Sequence, residues 1–145
     1  MDEQIQAEIE IIRQSGLFLP DWYLSHNPHA AAESADGIAH FCRIGWREGA
    51  HPNPYFHPQW YLRRYPDVAE NGGNALLHYI TAGEAEGRDP CPYFFTAWYR
   101  ETYDLPLGKS CLVHFLRRRG SGQVNPVPVF DAALFVWLPS LHRRV

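Results

Sequence analysis

Residues 56–68 read FHPQWYLRRYPDV, with Phe56, Trp60, Tyr61 and Tyr65 crowded around two prolines and His57 beside them. The pattern recurs as FLPDWYLSHNPHA from Phe18 and FFTAWYRETYDLP from Phe94. Trp22, Trp60 and Trp98 are 38 residues apart, each followed by a tyrosine and each four residues after a phenylalanine. His40 and His78 are again 38 apart, and His114 follows 36 later. From these histidines to Pro54, Pro92 and Pro128 is 14 residues in every case, and Phe56, Phe94 and Phe130 come two residues after those prolines. A fixed period of this length signals a repeat architecture, in which one unit cannot bury its apolar face without its neighbours.

Each copy predicts two or three short helices. Pro20 and Pro58 suit a first helical turn, where a missing N–H costs nothing. Asn27-Pro28 and Tyr65-Pro66 end that helix, because a residue before proline avoids the α region. The second main helix reads DGIAHFCRIG, NALLHYITAG and SCLVHFLRRRG in the three copies. Asp36, Asn74 and Ser110 are N-cap types, and Gly45, Gly83 and Gly120 suit a left-handed C-terminal cap. Apolar residues at 38, 41, 42, then 76, 79, 80, then 112, 115, 116 form the i, i+3, i+4 stripe of a core-facing helix. No alternating strand pattern appears.

The expected fold is therefore all-α. It is a helical-repeat array of three units of 36–38 residues, at 17–55, 56–93 and 94–129, in one compact domain. Residues 1–16 form an N-terminal capping helix, with Ile5, Ile9 and Ile12 on the face that covers unit one. Residues 130–145 form a truncated fourth unit, with Asp131 capping its helix. Phe18, Trp22, Phe56, Trp60, Phe94 and Trp98 are expected as the repeated core, because rings required in every copy are most simply packing between helices.

The totals bound the rest. The chain of 145 residues is long enough for one core, and 46% apolar with 20% charged residues describes a globular protein. No run of eighteen apolar residues is present, so no membrane span is expected. The acidic start MDEQIQAEIEII is not of the secretory type. Cys42, Cys91 and Cys111 are odd in number and form no CxxC pair, so reduced thiols in a cytoplasm are expected, with no disulfide framework and no zinc site. Charge is uneven: residues 1–50 hold three basic and eight acidic groups, whereas residues 100–145 hold seven and three.

The stretches SGLFLPDWYLSHNP, HFCRIGWREGAHPNPYF and FHPQWYLRRYPDVAENGGNALLHYITAGEAEGRDPCPYF carry a resemblance. They resemble the bacterial repeats of pattern F-D-x-x-W/Y-Y-L-x-x-N-P-D-V-A followed by H-Y-x-x-x-G-x-x-E-G-R-x-P-S-P-x-F. Such repeats sit beside glycosyltransferase domains in polysaccharide-synthesis proteins and in some hemolysin-type calcium-binding proteins. The resemblance spans about residues 15–131 and implies an accessory module of polysaccharide synthesis or export, with a glycosyltransferase or another part of that machinery as partner. This chain departs from the pattern at Leu19, His57 and Phe95, where the family has aspartate, and only Asp131 keeps it. The third copy lacks the NPDV turn. No glycine-aspartate nonapeptide is present, so calcium is not carried over, and the chain is expected to be the accessory module alone.

No enzyme is expected, since the G-x-S-x-G, P-loop, HExxH and dinucleotide glycine motifs are all missing. The pairs Asp67 with Glu70 and Glu84 with Glu86 read as solvated charge at turns and helix ends. Equivalent histidines in a stacked array stand about a helix diameter apart, roughly 10 Å, and cannot share one metal ion. His40, His78 and His114 are therefore expected to be structural, each donating to a backbone carbonyl, and neither metal nor cofactor is expected. Arg117, Arg118 and Arg119 with Lys109 make a basic patch, but one patch on a net-acidic chain does not indicate nucleic acid.

What remains is a binding role. The expected function is a non-enzymatic protein–protein interaction module; the alternative is a carbohydrate-binding module that uses exposed aromatic rings. The expected partner site is the C-terminal end. Phe135, Val136, Trp137 and Leu138 are consecutive, and four successive apolar residues wrap all sides of a helix. Phe135, Trp137 and Leu138 thus remain exposed unless the tail folds back. Arg117, Arg118, Arg143 and Arg144 beside them steer an acidic surface, with the acidic N-terminal part of a second copy as one candidate for self-association.

Overall fold

The computed structural model describes residues 2–33, 36–128, 130–131 and 136–137. The chain opens with α1 (Asp2–Ser15), α2 (Pro20–His26), α3 (Pro28–Glu33) and α4 (Gly37–His40). α4 runs on into a wider π turn, Phe41–Gly45. The order then repeats as α5 (Pro58–Arg64), α6 (Pro66–Asn71) and α7 (Ala75–His78), which continues as a second π turn, Tyr79–Gly83. α8 (Thr96–Thr102) and α9 (Cys111–Arg118) follow, with a 3₁₀ turn at Arg119–Ser121. The described residues are thus mostly helical.

The caps follow from residue type. Asp36, Asn74 and Ser110 each accept a backbone N–H of the helix they start, from Ile38, Leu76 and Val113. Pro20 and Pro58 open α2 and α5, and Pro28 and Pro66 open α3 and α6. The left-handed turns do not fall at Gly45 and Gly83. They fall four residues later, at Gly49 and Gly87, both with φ +82°. Gly45 and Gly83 are needed for a different reason: a Cβ at either would run into the hydroxyl of Tyr23 or Tyr61.

Three aromatic triads form the core: Phe18–Tyr23–Phe41, Phe56–Tyr61–Tyr79 and Phe94–Tyr99–Phe115. Within each triad the ring centroids are 4.9–6.1 Å apart, tilted or edge-on as quadrupoles prefer. All nine rings are buried. Each stretch is also closed on itself by a backbone hydrogen bond near its two ends. Leu19 donates to Pro52 at 3.1 Å, His57 to Pro90 at 3.0 Å, and Phe95 to Pro126 at 2.9 Å.

Three expectations are corrected. Trp22, Trp60 and Trp98 are half-buried; the ring that fills each core is the following tyrosine. Adjacent helical residues point about 100° apart, so only one of each Trp-Tyr pair can face inward. Trp22 instead stacks on His26 with 4.1 Å between ring centroids. Next, α1 does more than cover the first stretch. It packs on both α4 and α7, with Ile9 and Ile12 buried, and the turn after it places Gly16 beside Val113 of α9. Its isoleucine face is long enough to span several helices.

Finally, Asp131 does not begin a helix. Phe130–Asp131 and Val136–Trp137 are two short strands, β1 and β2, paired antiparallel with Phe130 opposite Trp137. Phenylalanine, valine and tryptophan favour extended backbone, and a helix this short gains most of its stability from packing on a second one.

Candidate functional site

The recurring histidines each meet a tyrosine. Tyr23 Oη is 2.8 Å from His40 Nδ1, Tyr61 Oη is 2.8 Å from His78 Nδ1, and Tyr99 Oη is 2.6 Å from His114 Nδ1. A tyrosine hydroxyl on the first helix, not a backbone carbonyl, is thus the partner that sequence reasoning missed. Burial pushes all three tyrosine hydroxyls up, so they stay protonated and neutral. Burial, and then Arg118, lowers His114.

His40 is the most enclosed of the three, with a side chain 2% exposed. Its Nδ1 is taken by Tyr23, while its Nε2 is buried and makes no hydrogen bond among the described residues. Glu33 Oε2 does lie 3.3 Å from that atom, but off the direction a hydrogen bond requires. His29 stands edge-on to His40, their ring centroids 5.4 Å apart, and His29 Nε2 is 3.8 Å from Glu48 Oε1. One donor atom from each of His29, His40 and Glu48 lies within 4.8 Å of the other two.

The carboxylate pairs divide. Glu84 is buried, 8% exposed, rather than solvated. Its Oε2 accepts from Ser110 Oγ and Leu112 N–H, both at 2.9 Å, and from Tyr79 Oη at 3.3 Å. It thereby caps α9 from the preceding stretch. Burial raises its carboxyl, against the lowering effect of the Leu112 and Ser110 hydrogen bonds. Asp67 and Glu86 remain outside and grip Arg88, which bonds Asp67 through both guanidinium ends at 2.9 Å and Glu86 through Nε at 2.9 Å. Cys42, Cys91 and Cys111 are free and buried, and burial pushes each thiol up to about 12.

The basic residues of α9 border a groove of about 670 Å³. Lys109, Arg117 and Arg118 supply charge along it, and Leu105, Pro106 and Val113 give it an apolar wall. The loop before α9 is held by Arg100, which donates to the carbonyls of Pro106 and Lys109. That support leaves Leu107 68% exposed. Leu107 lines an adjoining cleft of about 190 Å³ that shares Ser15, Gly108, Lys109 and Ser110 with the groove. His114 is the one aromatic ring among the described residues lining the groove. Arg119 points elsewhere, over the ring of Tyr55 at 5.6 Å.

Of the expected partner-binding residues, Arg117 and Arg118 line this groove. Phe135, Leu138, Arg143 and Arg144 lie outside the described residues, and of Trp137 only the backbone is described. Leu107 and Val113 were not expected; a lone leucine between Pro106 and Gly108 was the available signal. Among the described residues no helix is long and apolar enough to cross a membrane. Compared with known proteins, the chain matches no family model, and no curated protein and no solved structure is similar to it.

Proposed function

We propose that this chain is a non-enzymatic helical-repeat module of three units that binds a partner protein through the groove beside α9. The observation that carries this reading is the exposed apolar Leu107, in a cleft that adjoins the groove through Lys109, with Arg117 and Arg118 along the groove itself. An apolar anchor beside a run of positive charge suits a protein segment bearing both acidic and apolar side chains. The repeat organisation draws support from the recurring triads, the Tyr–His pairs and the closing backbone bonds. The non-enzymatic reading draws support from the chemistry of the interior. The thiols are buried and held protonated, and Glu84 is committed to three internal hydrogen bonds.

The resemblance to repeats beside glycosyltransferases suggests the partner, a component of bacterial polysaccharide synthesis or export, and the free, buried thiols fit a cytoplasmic setting. Carbohydrate binding is the weaker reading, because among the described residues the groove has no row of flat aromatic rings for sugars to stack on. Immobilised parent chain and Lys109→Glu/Arg117→Glu/Arg118→Glu chain, each exposed to extract of the source cell, separate the two. A protein retained by the parent, released by salt and lost with the variant supports the reading. Retention of glycan alone, or equal retention by both chains, contradicts it.

A further inference from the structure

Two corresponding places in the fold handle charge differently. His29, Glu48 and Ala50 stand 38 residues before Asp67, Glu86 and Arg88. In the later stretch the Arg88 guanidinium sits between two carboxylates, 2.9 Å from each. That cation ties the start of α6 to the turn after the π helix. In the earlier stretch the arginine is replaced by Ala50 and one carboxylate by His29, while the other acid is retained as Glu48. His40 adds a buried ring nitrogen, Nε2, that no hydrogen bond among the described residues uses. Two imidazoles and a carboxylate therefore converge where the later stretch holds a cation.

We propose that His29, His40 and Glu48 form a binding site for a divalent transition-metal ion of the zinc type. Imidazole selects zinc and its neighbours over calcium or magnesium, which prefer oxygen alone. The Tyr23 hydroxyl at Nδ1 completes the arrangement. With the ring proton on Nδ1 and donated to Tyr23 Oη, the Nε2 lone pair is left for the metal, and an anchored second nitrogen is the usual support of a metal-bound histidine. Donor atoms at about 2.0–2.2 Å from a tetrahedral zinc ion stand about 3.3–3.6 Å from one another. The 3.8 Å between His29 and Glu48 is close to that, and the largest spacing in the trio is within 4.8 Å. The adjustment falls on His29 and Glu48, whose side chains are 55% and 58% exposed and free to turn, while His40 stays fixed. Glu33, 3.3 Å from His40 Nε2, brings a second negative charge beside the ion. Three protein ligands leave one coordination position open to water.

The site is separate from the α9 groove, and either reading can fail without the other. The test is calorimetric titration of chelator-treated full chain with Zn²⁺ alone, paired with thermal melting. The parent should bind one equivalent with micromolar or tighter affinity and melt higher with zinc present. His29→Ala and Glu48→Gln alter exposed side chains and should fold as the parent does while weakening zinc tenfold or more. Ala50→Arg should also lose zinc, because its guanidinium would occupy the place that Arg88 fills in the later stretch. No binding by the parent, or an affinity that all three variants leave intact, overturns the proposal.

Discussion

Tyr61 and His78 are joined by a hydrogen bond of 2.8 Å between the phenol oxygen and Nδ1, seventeen residues apart in the chain. The same contact joins Tyr23 to His40 and Tyr99 to His114. Each ties the first helix of its stretch to the second from inside the core. Removing the hydroxyl alone, in Tyr61→Phe, strands a half-buried ring nitrogen and should cost about 1–3 kcal/mol. Tyr61→Ala, which also empties the core position, should cost about 3–5 kcal/mol. Trp60→Ala should cost less than Tyr61→Ala, because Trp60 keeps one side in solvent. Urea unfolding of the three variants measures that order, and a Trp60 loss above the Tyr61 loss would contradict the placement of the two rings.

The same tyrosines explain two glycines. A methyl group at Gly83 meets the Tyr61 hydroxyl, whereas one at Gly73 meets nothing. Gly83→Ala should destabilise by about 1–3 kcal/mol, as overpacking does, while Gly73→Ala should leave the melting temperature almost unchanged.

Sequence and structure meet unevenly here, for physical reasons. The 38-residue period, the helix-starting prolines and the caps Asp36, Asn74 and Ser110 are local chemistry, so they are legible in the chain. Which of Trp60 and Tyr61 faces inward is not, because neighbouring helical residues differ only in phase. Glu84 looks solvated among Glu86 and two glycines; its burial depends on Ser110 and Leu112, 26 and 28 residues onward. His29, His40 and Glu48 are spaced by eleven and eight residues, which matches no metal motif, and only the turn after α4 brings Glu48 back. The groove beside α9 was half legible, from Arg117 and Arg118, while Leu107 depends on a loop shaped by Arg100.

Glu84 should give stability a pH dependence. Burial raises its carboxyl above the ordinary glutamate value, so the folded chain holds that proton more tightly than the unfolded chain. The stabilisation from this group is complete at pH below the ordinary value and is lost as pH rises through the raised one. Glu84→Gln keeps an oxygen for Ser110 and Leu112 but cannot ionise. Its stability should gain on the parent as pH climbs above the ordinary glutamate value and through the raised one. Parallel stability–pH curves for parent and variant would contradict this account of the site.

Helix α1 covers α4 and α7 with Ile9 and Ile12. Deleting residues 1–14 should uncover apolar surface on both and drive aggregation, read by light scattering on freshly purified protein. Ile12→Ala, a milder cut at a residue with no exposed surface, should cost about 2–5 kcal/mol. Unchanged scattering and melting in both would contradict the packing of α1.

The claim that the groove beside α9 receives a protein is tested most directly by a photocrosslinking amino acid placed at position 107 and activated in the source cell. The account predicts one dominant protein adduct, a component of the polysaccharide machinery. It should be lost when Lys109, Arg117 and Arg118 are reversed to glutamate, and it should persist when the same probe-bearing chain carries Glu70→Gln on α6, a residue that lines neither the groove nor its adjoining cleft. Crosslinks to glycan alone, or a protein adduct indifferent to the three basic residues, would contradict it.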